Sequence, residues 1–189
     1  MKTIYILLTR PQTFVSNLVH LVTADPYTHV SISFDEDLQP LYSSARKNGR
    51  TMFPAGPCRE LFSRGLYKTY PQTPCAVYTL RVSDEVYEKA REEVQKIISR
   101  ADSYKFNTFG MFTCYMNIPY HPKHRYFCSQ FVSDVLSRSK ALKIPKDSSL
   151  MRPMDYSKFP QLSCIYRGCI GEFCSKRITK TYRIELPAK

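Results

Sequence analysis

Cys128 and His29 are the two side chains in this sequence whose settings suit nucleophilic chemistry. Reading on from Cys128, the apolar residues Phe131, Val132, Val135 and Leu136 fall at i+3, i+4, i+7 and i+8, the spacing of a helix with one face against a core. Cys128 shares that face in the first turn. There the unpaired backbone N–H groups and the positive end of the helix dipole favour a thiolate over a thiol. Such a thiolate is a nucleophile, and the same amides can receive a developing oxyanion. A cysteine on an apolar helix face is also an ordinary small core residue, so the helix does not decide by itself.

The histidine lies 99 positions upstream. Tyr27-Thr28-His29-Val30-Ser31-Ile32-Ser33-Phe34-Asp35 alternates apolar and small polar residues with period two, which predicts a half-buried strand opened by His29. A turn-rich stretch follows, and Leu41-Tyr42-Ser43-Ser44-Ala45 reads as the returning strand of a hairpin. A thiol needs an imidazole to take its proton, and the imidazole needs a third polar group to hold its tautomer. A cysteine on a helix, a histidine on a strand and a partner on the next strand would complete that set.

The order of these pieces, histidine on an early strand and cysteine on a late helix in a Cys-Ser-Gln-Phe-Val setting, resembles the circularly permuted papain-like amidases related to NlpC peptidases, of the YiiX-like type. In ordinary papain-like enzymes the cysteine helix comes first. The resemblance spans nearly the whole chain: the opening strand from Ile4 to Arg10, the strand around His29, the Tyr42-Ser43-Ser44-Ala45-Arg46 strand, the Tyr104-Lys105-Phe106-Asn107 segment and the Cys128 helix. It implies Cys128 as nucleophile and His29 as general base. It also implies that the residue polarising the histidine lies on the following strand, and alignment of the hairpin puts Ser43 there, with Tyr42 and Ser44 one register slip away. Serine can accept from an imidazole N–H but brings no negative charge.

The 189 residues are near the length of one domain, and a hydrophobic content of 43% supports one core, so a single domain over residues 1–189 is expected. No stretch reaches the roughly 18 apolar residues of a membrane span. The opening Met1-Lys2-Thr3-Ile4-Tyr5-Ile6-Leu7-Leu8 run is cut by Thr9-Arg10-Pro11-Gln12 and reads as a strand, not a signal peptide. Seven cysteines, at 58, 75, 114, 128, 164, 169 and 174, have no framework spacing, so reduced thiols in a cytoplasmic protein are expected. Cys114, His121, His124 and Cys128 have ligand types that suit zinc, but their spacing matches no standard module, so no metal and no cofactor is assigned. The formal charge is +12, and from residue 138 onward 12 Lys and Arg stand against 4 Asp and Glu. That basic C-terminal third could touch an anionic surface, although its charges are scattered singly as on a solvated face.

Along the chain, residues 13–22 carry Phe14, Leu18, Leu21 and Val22 at helical spacing, with His20 off that stripe and given no role. Residues 47–74, punctuated by Gly and Pro, read as a long loop bordering the substrate groove. Residues 75–82 read as a strand, followed by a helix capped at Ser83 whose buried stripe is Val86, Ala90, Val94, Ile97 and Ile98. Residues 102–125 are aromatic and irregular, read as core and cleft wall in preference to a stacking platform for nucleic acid. Residues 159–173 and 177–186 read as closing strands. Strands around two or three sequence-separated helices give α+β, and a papain-like core, a small antiparallel sheet or half-barrel packed on helices, satisfies that pattern.

The function expected on this basis is a thiol-dependent hydrolase, an amidase or peptidase working through an acyl-enzyme on Cys128. A non-catalytic binding module of the same fold and a lipid acyltransferase are the alternatives. The substrates that fit are a peptide, an amide or an acyl-lipid, with no specific nucleic-acid partner.

Overall fold

Ile4, Ile6 and Leu8 alternate with Tyr5 and Leu7 in the first strand, so it has apolar side chains for both faces and belongs inside a sheet. It lies there. The computed structural model describes residues 1–46 and 54–176. Its elements in order are β1 (Lys2–Thr9), α1 (Phe14–Thr23), β2 (His29–Ser33), β3 (Leu41–Arg46), β4 (Ala55–Glu60), α2 (Gly65–Thr69), β5 (Pro74–Val82), α3 (Asp84–Ile98), β6 (Lys105–Phe106), α4 (Thr108–Tyr115), β7 (Arg125–Tyr126), α5 (Cys128–Arg138) and β8 (Ser163–Cys169). Three short 3₁₀ turns, Ala101–Ser103, Ser148–Leu150 and Pro153–Lys158, fall between them, and residues 170–176 are helical.

Six strands form one sheet in the order β4-β3-β2-β1-β5-β8, with every neighbouring pair antiparallel. The fold class is therefore α+β, as the sequence predicts. One face of the sheet, carrying Ile4, Ile6, Leu8, Val30, Ile32, Ala76 and Leu80, packs against Ala90, Val94 and Ile97 of α3 and Phe131, Val132, Val135 and Leu136 of α5. The other face, with Leu7, Leu41, Cys75 and Val77, is covered by Phe62, Tyr67, Ile170 and Phe173. Burying each large aliphatic side chain is worth about 1.5–3 kcal/mol, so these two layers fix the strands from both sides.

The α3 helix begins as expected: the Ser83 side chain accepts from the Val86 N–H, and Asp84 and Glu85 occupy the first turn. The 47–74 region differs from the expected loop. It contains β4 and α2, hidden because Ala55-Gly56-Pro57-Cys58-Arg59-Glu60 has neither period-two alternation nor β-branched residues. Gly and Pro weaken an interior strand but suit an edge, and β4 is the edge of the sheet. A Cβ on Gly56 would come within 3.1 Å of the Tyr104 carbonyl, so its bare backbone lets the following segment approach closely. The closing strand is shorter than expected, ending at Cys169 before the helical residues 170–176. The expected strand at 177–186 lies outside the described residues.

Candidate active site

His29 opens β2, paired with Thr9 of β1, and Ser31 follows two residues later on the same face. Cys128 is the first residue of α5, whose N-cap Phe127 offers no side-chain hydrogen bond to the helix start. The amides of the first turn thus keep their donors for another acceptor. Three side-chain contacts fix that end of the helix. Ser129 Oγ donates to the Met151 carbonyl at 2.6 Å, Tyr156 donates to the Ser129 carbonyl at 3.0 Å, and Ser133 Oγ meets the Tyr156 hydroxyl at 2.7 Å. From the sheet, Ser44 Oγ donates to the Tyr126 carbonyl at 2.7 Å, tying β3 to the residues that lead into Cys128.

The structure brings the two sequence-predicted residues together. His29 and Cys128 line one cavity of about 480 Å³, and Cys128 is among the groups that raise the His29 pKa. It also supplies a residue that the sequence reading missed. Glu60, the last residue of β4, places Oε1 at 3.1 Å and Oε2 at 3.2 Å from His29 Nε2. Its strand is separated from β2 by β3. Strands two apart in a sheet stand about 10 Å from each other, so the contact crosses β3 and needs the full length of both side chains.

Hydrogen-bond capacity assigns the protons. Ser31 Oγ donates to Glu60 Oε2 at 2.6 Å, and an ionised carboxylate only accepts, so His29 Nε2 carries a proton towards Glu60. Nδ1 is then the nitrogen left for the sulfur. Burial by itself would lower the His29 pKa, but the Glu60 charge, with hydrogen bonds from the ring to Cys128 and Glu60, raises it to about 10. Burial likewise pushes the Glu60 carboxyl up, and the His29 charge with the His29 and Ser31 hydrogen bonds outweighs it, holding the group below the usual carboxylate range. Both side chains are mostly shielded, at 13% and 15% exposed, so their attraction is little screened. Beneath them the buried Tyr67 hydroxyl, 3.3 Å from Thr9 Oγ1, has its pKa pushed well up by burial and by Glu60 and stays neutral.

Ser43 does not occupy the position expected of it. It shares a face with Glu60, because Leu41 pairs with Glu60 and Ser43 stands two residues farther along β3. Its hydroxyl donates to the Val30 carbonyl at 2.7 Å, a local main-chain bond, while Nε2 of His29 is directed at the carboxylate. Ser43 is the short residue on the intervening strand, and the longer Glu60 spans it. His20, given no role, has Nδ1 2.7 Å from the Asp25 carbonyl and Nε2 3.1 Å from Arg10, at the end of its helix.

No family model and no curated protein matches this chain. The fold does have a counterpart. The crystal structure of the metalloprotein yiiX from Escherichia coli O157:H7 is similar with a TM-score of 0.55 and 13% identity, over 89% of this chain and 98% of that one. At that identity the likeness is one of fold, and what it covers is the α+β arrangement of sheet and helices.

The four residues with zinc-ligand types have other surroundings. Cys114 Sγ points to the Met151 carbonyl at 3.7 Å, His121 pairs with Asp147 at 2.6 Å, and the His124 ring packs edge-on against Tyr104. Among the described residues no three His, Cys, Asp or Glu side chains converge in a way that could hold a metal ion. The yiiX protein is described as a metalloprotein, and the described residues of this chain do not fit a metal centre. Among the described residues, no helix is long and apolar enough to cross a membrane.

Proposed function

We propose that this chain is a permuted papain-like thiol acyl-transfer enzyme, most simply an amidase or peptidase, in which Cys128 is the nucleophile, His29 the acid and base, and Glu60 the residue that orients and charges the ring. The observation that carries this reading is the convergence of sulfur, imidazole and buried carboxylate at one cavity, with the ring held by Glu60 on Nε2. A structural cysteine needs none of these partners.

In the reaction that follows from this geometry, the Cys128 thiolate attacks a substrate carbonyl carbon and the oxygen takes up negative charge. Backbone N–H groups at the start of α5 receive that oxyanion, each such donor being worth roughly 3 kcal/mol in the transition state. The imidazolium then gives its Nδ1 proton to the leaving amine or alcohol as the carbonyl–heteroatom bond breaks, leaving a thioester. Water, or another hydroxyl or amine, attacks that thioester while Nδ1 takes its proton, and the sulfur departs as thiolate. A neutral Ser43 behind the ring would suit a non-catalytic module, and the Glu60 carboxylate in that place favours the enzyme reading.

The test is acylation. Incubation with an activated acyl ester should give one acyl group on Cys128 by intact mass and peptide mapping, with none on Cys128→Ala and a rate lowered by about 10²-fold or more on His29→Ala. Equal labelling of wild type and His29→Ala would sink the pairing.

A further inference from the structure

The α3 helix shows how this chain treats a helix that faces water: eight of its 15 residues are Asp, Glu, Lys or Arg. The two helices that flank the candidate site are built differently. α1 (Phe-Val-Ser-Asn-Leu-Val-His-Leu-Val-Thr) and α4 (Thr-Phe-Gly-Met-Phe-Thr-Cys-Tyr) have no such residue between them. Each turns one face to the cavity, through Ser16 and Val19 on α1 and Thr108 and Met111 on α4. Each also presents a neighbouring apolar stripe outward. Leu18, Leu21 and Val22 on α1, Phe109 and Phe112 on α4 and Met116 at the C-cap of α4 are between 41% and 81% exposed.

Isolated apolar residues on a surface need no explanation, but six large ones gathered on two uncharged helices at the rim of one cavity do. The sequence reading takes the α1 stripe simply as helical periodicity. In the structure it is Val19, off that stripe, that is buried. The charges lining the same cavity are mostly positive. Arg46, Arg59 and Arg64 line it, and Glu60, its sole acidic lining residue among those described, is paired with His29.

We infer that the α1–α4 rim is a docking surface for an anionic lipid bilayer, with the apolar stripes entering the interface, the arginines meeting phosphate headgroups, and the cavity receiving an acyl amphiphile from that bilayer. Large side chains beside cations at one edge are the combination by which peripheral proteins hold to anionic membranes. Docking stands on the rim alone, whereas an acyl-lipid as substrate rests on the thiol chemistry proposed above. A second copy of the chain fits less well, because a two-fold contact across this rim would bring like-charged arginines together.

The experiment is vesicle co-sedimentation of the full chain with phosphatidylglycerol–phosphatidylcholine liposomes and with phosphatidylcholine alone, alongside sedimentation velocity in the absence of lipid. The expected result is binding to the anionic vesicles that weakens with added salt, and weaker binding to the neutral ones. Leu21→Ser and Phe112→Ser should each reduce it by at least about tenfold, since full burial of one such side chain is worth that much or more. Both positions are exposed, and unchanged melting temperatures check that the variants fold. Arg59→Gln with Arg64→Gln should remove most of the preference for phosphatidylglycerol. No binding to anionic vesicles, or binding that Leu21→Ser and Phe112→Ser leave unchanged, overturns the proposal. A dimer in solution that those two substitutions dissociate assigns the rim to a second copy and overturns it as well. Cys128→Ala should bind like wild type, so loss of acylation and loss of docking are told apart.

Discussion

The Glu60 carboxylate reaches His29 Nε2 at 3.1 Å from a strand two places away in the sheet, and Ser31 holds the same carboxylate at 2.6 Å. That pairing makes the ring a cation at neutral pH, with its pKa at about 10. Replacing Glu60 by Gln keeps the shape and removes the charge. The His29 pKa should then fall from about 10 towards its ordinary 6.5, because burial, which disfavours the imidazolium, is no longer opposed by the Glu60 charge. Acyl transfer needs the imidazolium as proton donor, so the alkaline limb of the rate should move down in pH and the rate at neutral pH should drop by roughly 10²-fold or more. A pH–rate profile for an activated ester checks both. An alkaline limb unmoved in Glu60→Gln would mean that the carboxylate does not set the charge of the ring.

The same pair makes stability depend on pH with a definite sign. The folded-state pKa of His29 lies above its unfolded value of 6.5, so its contribution is fully present below pH 6.5 and is lost as the pH rises through about 10. Glu60 has a depressed folded-state pKa, so its contribution is present above its unfolded value of 4.5 and is lost as the pH falls through the folded-state one. Between those limits the ion pair is whole. Melting temperature followed from pH 6.5 to about 10 should therefore decline more steeply in wild type than in a His29→Gln, Glu60→Gln double variant, the difference isolating this pair from other alkaline titrations.

Ser43→Ala separates the residue that the sequence suggests from the one that the structure provides. The substitution removes a 2.7 Å bond to the Val30 carbonyl and touches neither ring nitrogen. Stability should fall by about 1 kcal/mol, the usual net worth of such a bond, with acylation of Cys128 within about threefold of wild type. Urea unfolding and the acylation rate, measured on the same preparation, decide it. A loss of rate like that of Glu60→Gln would return the third position to Ser43.

The reason for that difference shows what a sequence can and cannot carry. Cys128 was legible because its helix has a periodic apolar face, and His29 because its strand alternates, and periodicity is the strongest local signal there is. The α+β class followed from the same two patterns. Glu60 has no such carrier. It ends an edge strand containing Gly56 and Pro57, and it meets His29 across an intervening strand, a property of several strands together and not of any segment. The exposed stripe of α1 was legible as helical periodicity, whereas the α4 residues read as irregular aromatic sequence and their helix was missed; an apolar stripe also looks the same on paper whether it faces a core or the outside.

Tyr156 gives a test of how firmly the nucleophile is held. It is the bulkiest fully buried side chain among the described residues, and its hydroxyl joins Ser133 to the Ser129 carbonyl, one residue from Cys128. Burial pushes its pKa far above the usual phenol range, so it remains a neutral donor at any pH the fold survives. Tyr156→Phe keeps the ring and its packing but leaves the Ser133 hydroxyl and a helix carbonyl without that partner. Each buried group left unpaired costs about 1–3 kcal/mol, and a drop of about that size in unfolding free energy is expected. The proposed oxyanion donors belong to this same first turn, and a misplacement of about an ångström there would cost on the order of 10²-fold in rate. The acylation rate of Tyr156→Phe should accordingly fall more than its binding of the ester, a lower kcat with KM little changed. If kcat stays at the wild-type value while stability falls, the first turn of α5 is positioned by Ser129 and the Met151 carbonyl without help from the tyrosine.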